Sequence, residues 1–314
     1  MSHVTKIAFG RSLPPACPAV SRAEMRSVMI RLFTDTSANL PLSLVQQHGI
    51  TVVPFSYTVD GVPATYDINK SFNGKEFYDA MRAGAQIKTS MINSTAFIEA
   101  FSPALEAGDD VLYVGMSGGI SGTAGAAALA AEELSERFPE RHIAAIDTLA
   151  ASMGEGLQVL EAAAMIEAGV SFQEVEKKIL QGRQQMSQFF TVDDLEYLHR
   201  GGRITGAVAL VGTVLNIKPL LRGNEEGQIV SCGKVRGFNR ALQRLADYYE
   251  ELVLDKSAPI SIAHADNEEA CALLLEELKR QGLTGECLTV CYEPVTGSHV
   301  GPGTVALFFR GAHK

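Results

Sequence analysis

Through its first half the chain repeats one pattern: a short apolar run, a turn of small polar residues, then a longer segment of helix formers. Residues 28–33, 110–114 and 142–146 are short, mostly apolar runs, the pattern of buried strands. Residues 124–136 are strong helix formers apart from Gly125 and Ser135. The same reading predicts helices ending near 47 and over 75–82, 95–106, 152–168 and 172–185. Residues 50–59 read as extended, and Asp60-Gly61 is a hairpin signal. Strands alternating with helices of this length predict a parallel sheet covered on both faces. Near residue 187 the texture changes. Strands are predicted over 189–192, 259–263, 286–291 and 304–309, helices over 193–199, 238–254 and 268–280, and a hairpin turn over 223–227, while 207–214 is largely apolar. The fold class is therefore α/β. A three-layer α/β/α domain with a parallel sheet is expected over 29–186, with a hairpin insertion near 50–70. A two-layer α/β domain with a mixed sheet is expected over 187–314.

Composition narrows the class further. With 46% hydrophobic and 20% charged residues, the 314-residue chain is of ordinary globular type. A net charge of −9 argues against nucleic acid as a main partner. No run approaches the ~18 apolar residues that span a bilayer. Residues 1–28 carry Pro14, Pro15 and Pro18 and no apolar core of signal-peptide type, so they are expected to form a disordered leader or an over-long start. Five scattered cysteines, without a Cys-x-x-Cys pair, read as reduced thiols in a cytoplasmic protein. There is no Walker loop, no His-Glu-x-x-His, no Cys/His cluster, and no Gly-x-Gly-x-x-Gly after the first strand. Neither a metal nor a cofactor is expected.

The candidate chemistry collects in turns. Gly115-Met-Ser-Gly-Gly-Ile-Ser-Gly-Thr123 leads from a strand into a helix, where free backbone N–H groups and the positive end of the helix dipole favour a carboxylate or phosphate. Thr34-Asp-Thr-Ser37, Lys88-Thr-Ser90 and Asp147-Thr148 are read as further hydroxyl-rich loops. Loops at strand C-termini line the ligand crevice of an open α/β sheet, so all four are expected to converge on one anion. Thr296-Gly-Ser-His-Val-Gly-Pro-Gly303 reads as a tightly shaped loop presenting His299. From 199 to 244, eight Lys and Arg residues face only Glu225 and Glu226, a basic segment suited to docking an acidic or phosphate-bearing partner.

A competing reading uses the same residues. Gly115-x-Ser117-x-Gly119 has the spacing of a hydrolase nucleophile elbow, with Asp147 and His264 or His299 available to complete a triad. An upstream His-Gly oxyanion segment is absent.

Taken in order, the motifs resemble the DegV family of bacterial fatty-acid-binding proteins. The resemblance runs from about Met29 to the C-terminal end. It is carried by Thr34 to Pro41, Lys88-Thr-Ser90, Ser117 to Thr123, Asp147 to Leu157, Asp194-Leu-Glu-Tyr-Leu-His-Arg-Gly-Gly-Arg-Ile204, Ile217-Lys-Pro-Leu-Leu221, His264-Ala-Asp266 and Gly297-Ser-His-Val-Gly-Pro-Gly303. It implies a two-domain α/β fold that buries a long-chain fatty acid between its domains and is not an enzyme alone. The carboxylate is presented to an ATP-dependent partner kinase, which makes an acyl phosphate for phospholipid synthesis, with transient membrane contact for lipid exchange. By motif, Thr89 and Ser121 would bind the carboxylate with His299 close by. Ser90 and the Gly122 backbone would support them, and Arg200 and Arg203 would face the kinase. The chain departs from the family pattern at Gly118, where Ser is common, and at Met91-Ile92-Asn93, where a polar run is common.

Overall fold

The computed structural model describes residues 28–70, 72–204 and 216–314. Except for Val28, the expected leader lies outside the described residues, as does the apolar run at 207–214. In chain order the first half contains β1 (Ile30–Asp35), α1 (Leu42–Gln47), β2 (Thr51–Val53), β3 (Ser56–Val59), β4 (Val62–Thr65), α2 (Gly74–Arg82), β5 (Ile87–Ser90) and α3 (Ser94–Glu106). It continues with β6 (Asp110–Gly115), α4 (Thr123–Arg137), β7 (Ile143–Asp147), α5 (Met153–Glu167) and α6 (Phe172–Gly182). The second half contains β8 (Met186–Thr191), α7 (Glu196–Gly201), β9 (Ile217–Gly223), β10 (Ile229–Arg236), α8 (Phe238–Leu252) and β11 (Ile260–His264). It closes with α9 (Glu268–Arg280), β12 (Cys287–Cys291), α10 (Pro294–Val300) and β13 (Val305–Arg310).

Strands β2-β1-β6-β7 form a parallel sheet. Its central strand β6 is buried along its whole length, because helices cover both faces. Alternation along the strand divides two cores. Val111 and Tyr113 face α3 and α4, while Leu112 and Val114 face α5 and α6. The second sheet, β10-β9-β8-β13-β11-β12, is mixed, with only β11 and β12 parallel. The same period-2 rule splits its side chains. Phe189, Leu220, Ile262 and Leu307 pack under α8 and α9, whereas Phe190, Leu221, Ala263 and Phe308 join the core beneath α5. Helix α5 thus lies between the two sheets and contributes to the packing of both.

A third, antiparallel sheet, β4-β3-β5, is the expected hairpin insertion extended by one strand. Asp60 and Gly61, at φ 50° and 82°, make the two-residue turn opposite the Val59–Val62 pair. The extended run at 50–59 is not one strand. It breaks at Pro54, which cannot donate to a ladder, and β2 and β3 fall in different sheets.

Two expected loops are regular structure. Residues 88–90 belong to β5, where Thr89 pairs with Tyr57. Residues 294–300 form helix α10, hidden in the sequence by Gly297 and Gly301. Its Pro294 start is capped by the Glu293 carboxylate, which accepts the N–H groups of Val295 and Thr296 at 2.5 and 2.6 Å. No helix among the described residues is long and apolar enough to cross a membrane.

Candidate functional site

At the C-terminal ends of the parallel strands the loops after β6 and β7 face the mixed sheet across a cavity. Its space, open mouth included, comes to about 850 Å³. Most of its wall is apolar, with Phe55, Met116 and Ile120 from one side and Phe190, Leu198 and Phe308 from the other. Hydroxyls, an imidazole and a guanidinium gather in one part of it: Thr89, Ser90, Ser121, His299 and Arg203.

Each of these side chains is set by its element. Thr89 is the penultimate residue of β5, and its Oγ1 lies 2.8 Å from His299 Nε2. His299 stands on the last turn of α10, with Nδ1 packed on Gly201 so closely that a Cβ there would lie 2.5 Å away. Burial, reinforced by the nearby positive charge of Arg203, lowers the imidazole to about 4, so the ring is neutral at physiological pH. Ser121 Oγ sits 2.9 Å from Thr123 Oγ1 at the start of α4. Arg203 donates from Nε to the Ile120 carbonyl at 3.3 Å and from a terminal nitrogen to the Gly201 carbonyl. No carboxylate among the described residues pairs with it. The cluster therefore offers hydroxyl donors and one cation but no acid of its own, which suits a ligand carboxylate.

Two expected site residues lie off the wall. Gly122 sits at the N-terminus of α4, where a Cβ would meet Met91 Sδ at 2.8 Å, so its place is behind the lining Met91. Arg200 turns outward, with its guanidinium 5.0 Å over the Tyr197 ring and 3.9 Å from Glu196. Arg203 is part of the cavity wall itself.

The four hydroxyl-rich segments do not converge. Thr34 and Ser37 turn toward buried acids of the chain. Thr34 Oγ1 donates to Glu155 Oε1 at 3.1 Å, and Ser37 Oγ lies 2.7 Å from Glu155 Oε2 while also bonding Asp35 Oδ1. One hydroxyl hydrogen is shared between the two acids, an arrangement that favours a proton on one of them. Burial raises both, and Glu155 lies well above its usual range. Asp147 instead accepts the N–H groups of Gly118 and Leu149, tying the loops together. Its neighbour Thr148 bonds the Gly115 carbonyl.

The nucleophile elbow is not built either. Ser117 is fully buried, donates to the Gly227 carbonyl at 2.8 Å and accepts the Gly119 N–H at 3.0 Å. Asp147 is engaged by backbone N–H groups, His264 Nδ1 accepts the Asn267 N–H, and His299 pairs with Thr89. Ser117 has no base.

Sequence reasoning missed most of the cavity wall, including Leu149 to Ser152 after β7, Gln188, Tyr292 and Thr296. The apolar members carry no distinguishing signal, because a residue facing a cavity has the same strand or helix period as one facing the core.

Comparison with known proteins fits this geometry. The family model described as "Uncharacterised protein, DegV family" matches residues 29–311. The chain belongs to the DegV family. It is 34% identical to a DegV domain-containing protein of Clostridium perfringens, over 90% of this chain and 98% of that one. Among solved DegV structures it is similar to a fatty-acid-binding protein from Thermus thermophilus, with 35% identity, a TM-score of 0.79, and 90% and 99% of the two chains covered. A fatty-acid-binding DegV protein from Streptococcus agalactiae gives 30% identity and a TM-score of 0.80, with 90% and 98% covered.

Proposed function

We propose that this DegV protein binds a long-chain fatty acid in the cavity and presents its carboxylate to an ATP-dependent partner kinase in the cytoplasm. The observation that carries the reading is an apolar cavity in which the polar groups gather as hydroxyls, a neutral imidazole and an arginine without a carboxylate partner. Thr89, Ser121 and His299 hold the head group, Ser90 lies at the exposed margin, and Gly122 seats Met91 beside it. At ~0.8 kcal/mol per buried CH₂, a C16 tail gains roughly 10 kcal/mol before ordering costs. The tail thus supplies most of the affinity and the head cluster supplies position.

Hydroxyl donors hold a carboxylate without fully neutralising it, which leaves an oxygen able to attack the γ-phosphorus of ATP as ADP departs. The outward-facing Arg200 is the docking contact for the kinase. Brief membrane contact would load and unload the lipid.

Titration calorimetry with palmitate and with its methyl ester tests the head-group assignment. Palmitate is expected to bind at least tenfold tighter. Equal binding of acid and ester would contradict the carboxylate site. A coupled assay with a fatty acid kinase would then show whether Arg200→Glu abolishes acyl-phosphate formation while lipid binding persists.

A further inference from the structure

The Ser117 hydroxyl of the Gly115-x-Ser117-x-Gly119 motif meets no base among the described residues, yet it is buried and used twice. Ser117 lies in the loop that carries Ile120 and Ser121 into the cavity wall. Its acceptor Gly227 lies in the turn between β9 and β10, which lines the same cavity through Gly223, Gly227 and Ile229. One hydroxyl therefore ties a wall built on the parallel sheet to a wall built on the mixed sheet. Between them the backbones meet bare. A Cβ on Gly119 would fall 2.5 Å from the Glu226 carbonyl oxygen, and one on Gly227, at φ +73°, would fall 2.0 Å from Ser117 Oγ. A second tie holds the same turn from the exposed side, where Gln184 Nε2 donates to the Glu225 carbonyl at 3.1 Å.

We propose that Ser117 is a positioning residue, a latch that holds the β9–β10 turn against the head-group loop and so governs how fast an acyl ligand enters and leaves the cavity. The inference rests on the fatty-acid reading of that cavity. A latch lies outside the ligand's own contacts, so loosening it raises association and dissociation rates together and leaves Kd nearly unchanged. Removing a ligand contact raises the dissociation rate alone.

Stopped-flow exchange of a long-chain fatty acid is the test, on wild type, Ser117→Ala and Gln184→Ala, with amide hydrogen exchange of residues 224–229 in the ligand-free proteins. Ser117→Ala is expected to raise both rates about fivefold, the loss of one net hydrogen bond. Gln184→Ala is expected to raise them by a smaller factor, and exchange in the turn should quicken in Ser117→Ala. Unchanged rates, or a rise in dissociation alone, overturn the latch. If Ser117→Ala does not fold, Gln184→Ala decides in the same way. A wild-type protein that takes up no fatty acid overturns the acyl reading and, with it, the latch's part in acyl exchange. Normal uptake with unchanged rates overturns the latch only.

Discussion

Two groups of hydroxyls sit near the strand ends of the first half, and they meet opposite fates. Thr34 and Ser37 are buried against Asp35 and Glu155, so the chain supplies its own carboxyls, and Tyr113 and the backbone of Met116 complete the shell. Thr89 and Ser121 face a cavity instead, beside a neutral His299 and an Arg203 that no described carboxylate pairs. A hydroxyl cluster is therefore not a site by itself. What marks the second cluster is the missing acceptor: where the chain brings its own acid the packing closes, and where it brings none there is room for a ligand's.

That contrast predicts effects of different kind. The largest is Asp35→Ala, which strands the Tyr113 hydroxyl and the N–H groups of Ser37 and Met116 in a buried place. It should cost about 3 kcal/mol or more in urea unfolding, with ligand affinity of the folded fraction unchanged. The paired change Thr89→Ala with Ser121→Ala should do the reverse, with stability shifted by less than about 1 kcal/mol and fatty-acid affinity lowered about tenfold to a hundredfold. Equal stability loss in the two variants would erase the distinction between the clusters.

A pH dependence separates them further. Burial raises Asp35 and Glu155, and raises Glu293 to about 7 from an ordinary 4.5, so the folded state holds protons that the unfolded chain releases. The Glu293 contribution is complete below ordinary carboxylate values and is lost as pH rises through about 7. Thermal unfolding should accordingly fall to lower temperature between about pH 6 and about pH 8, and Glu293→Gln should flatten that fall. An unflattened slope in the variant would count against the buried proton. His299 has the opposite sign. Its neutral form is favoured in the fold, so its contribution is complete above the ordinary 6.5 and lost as pH falls through about 4. NMR titration of the free protein should place its midpoint there. The smallest effect expected is Gly201→Ala, whose Cβ would push the His299 ring away from Thr89 and lower affinity about twofold to fivefold with little change in stability.

Much of the architecture was legible from periodicity. The helix at 268–280 was read with its observed bounds, and the Asp60-Gly61 turn followed from two residues. Helix α10 was not seen, because glycines at 297 and 301 masked a Glu293-Pro294 start whose capping chemistry was there to read. The head-group hydroxyls at 89 and 121 could be singled out, since loops at strand ends are where ligands bind. The roles of Thr34 and Asp147 could not, because the acceptors that absorb Thr34 and the N–H groups that engage Asp147 lie on other segments, which only the tertiary fold brings close. Arg200 lies within α7, whereas Arg203 lies beyond its left-handed Gly202 end, so the two, three residues apart, do not share a face.

The central claim is that the cavity holds a fatty acid by its tail and orients it by its head, and native mass spectrometry of the purified protein with identification of the extracted small molecule tests it most directly. One long-chain fatty acid per chain, retained by wild type and diminished in the Thr89→Ala, Ser121→Ala protein, is the predicted result. A protein that emerges empty and takes up no added fatty acid would contradict it.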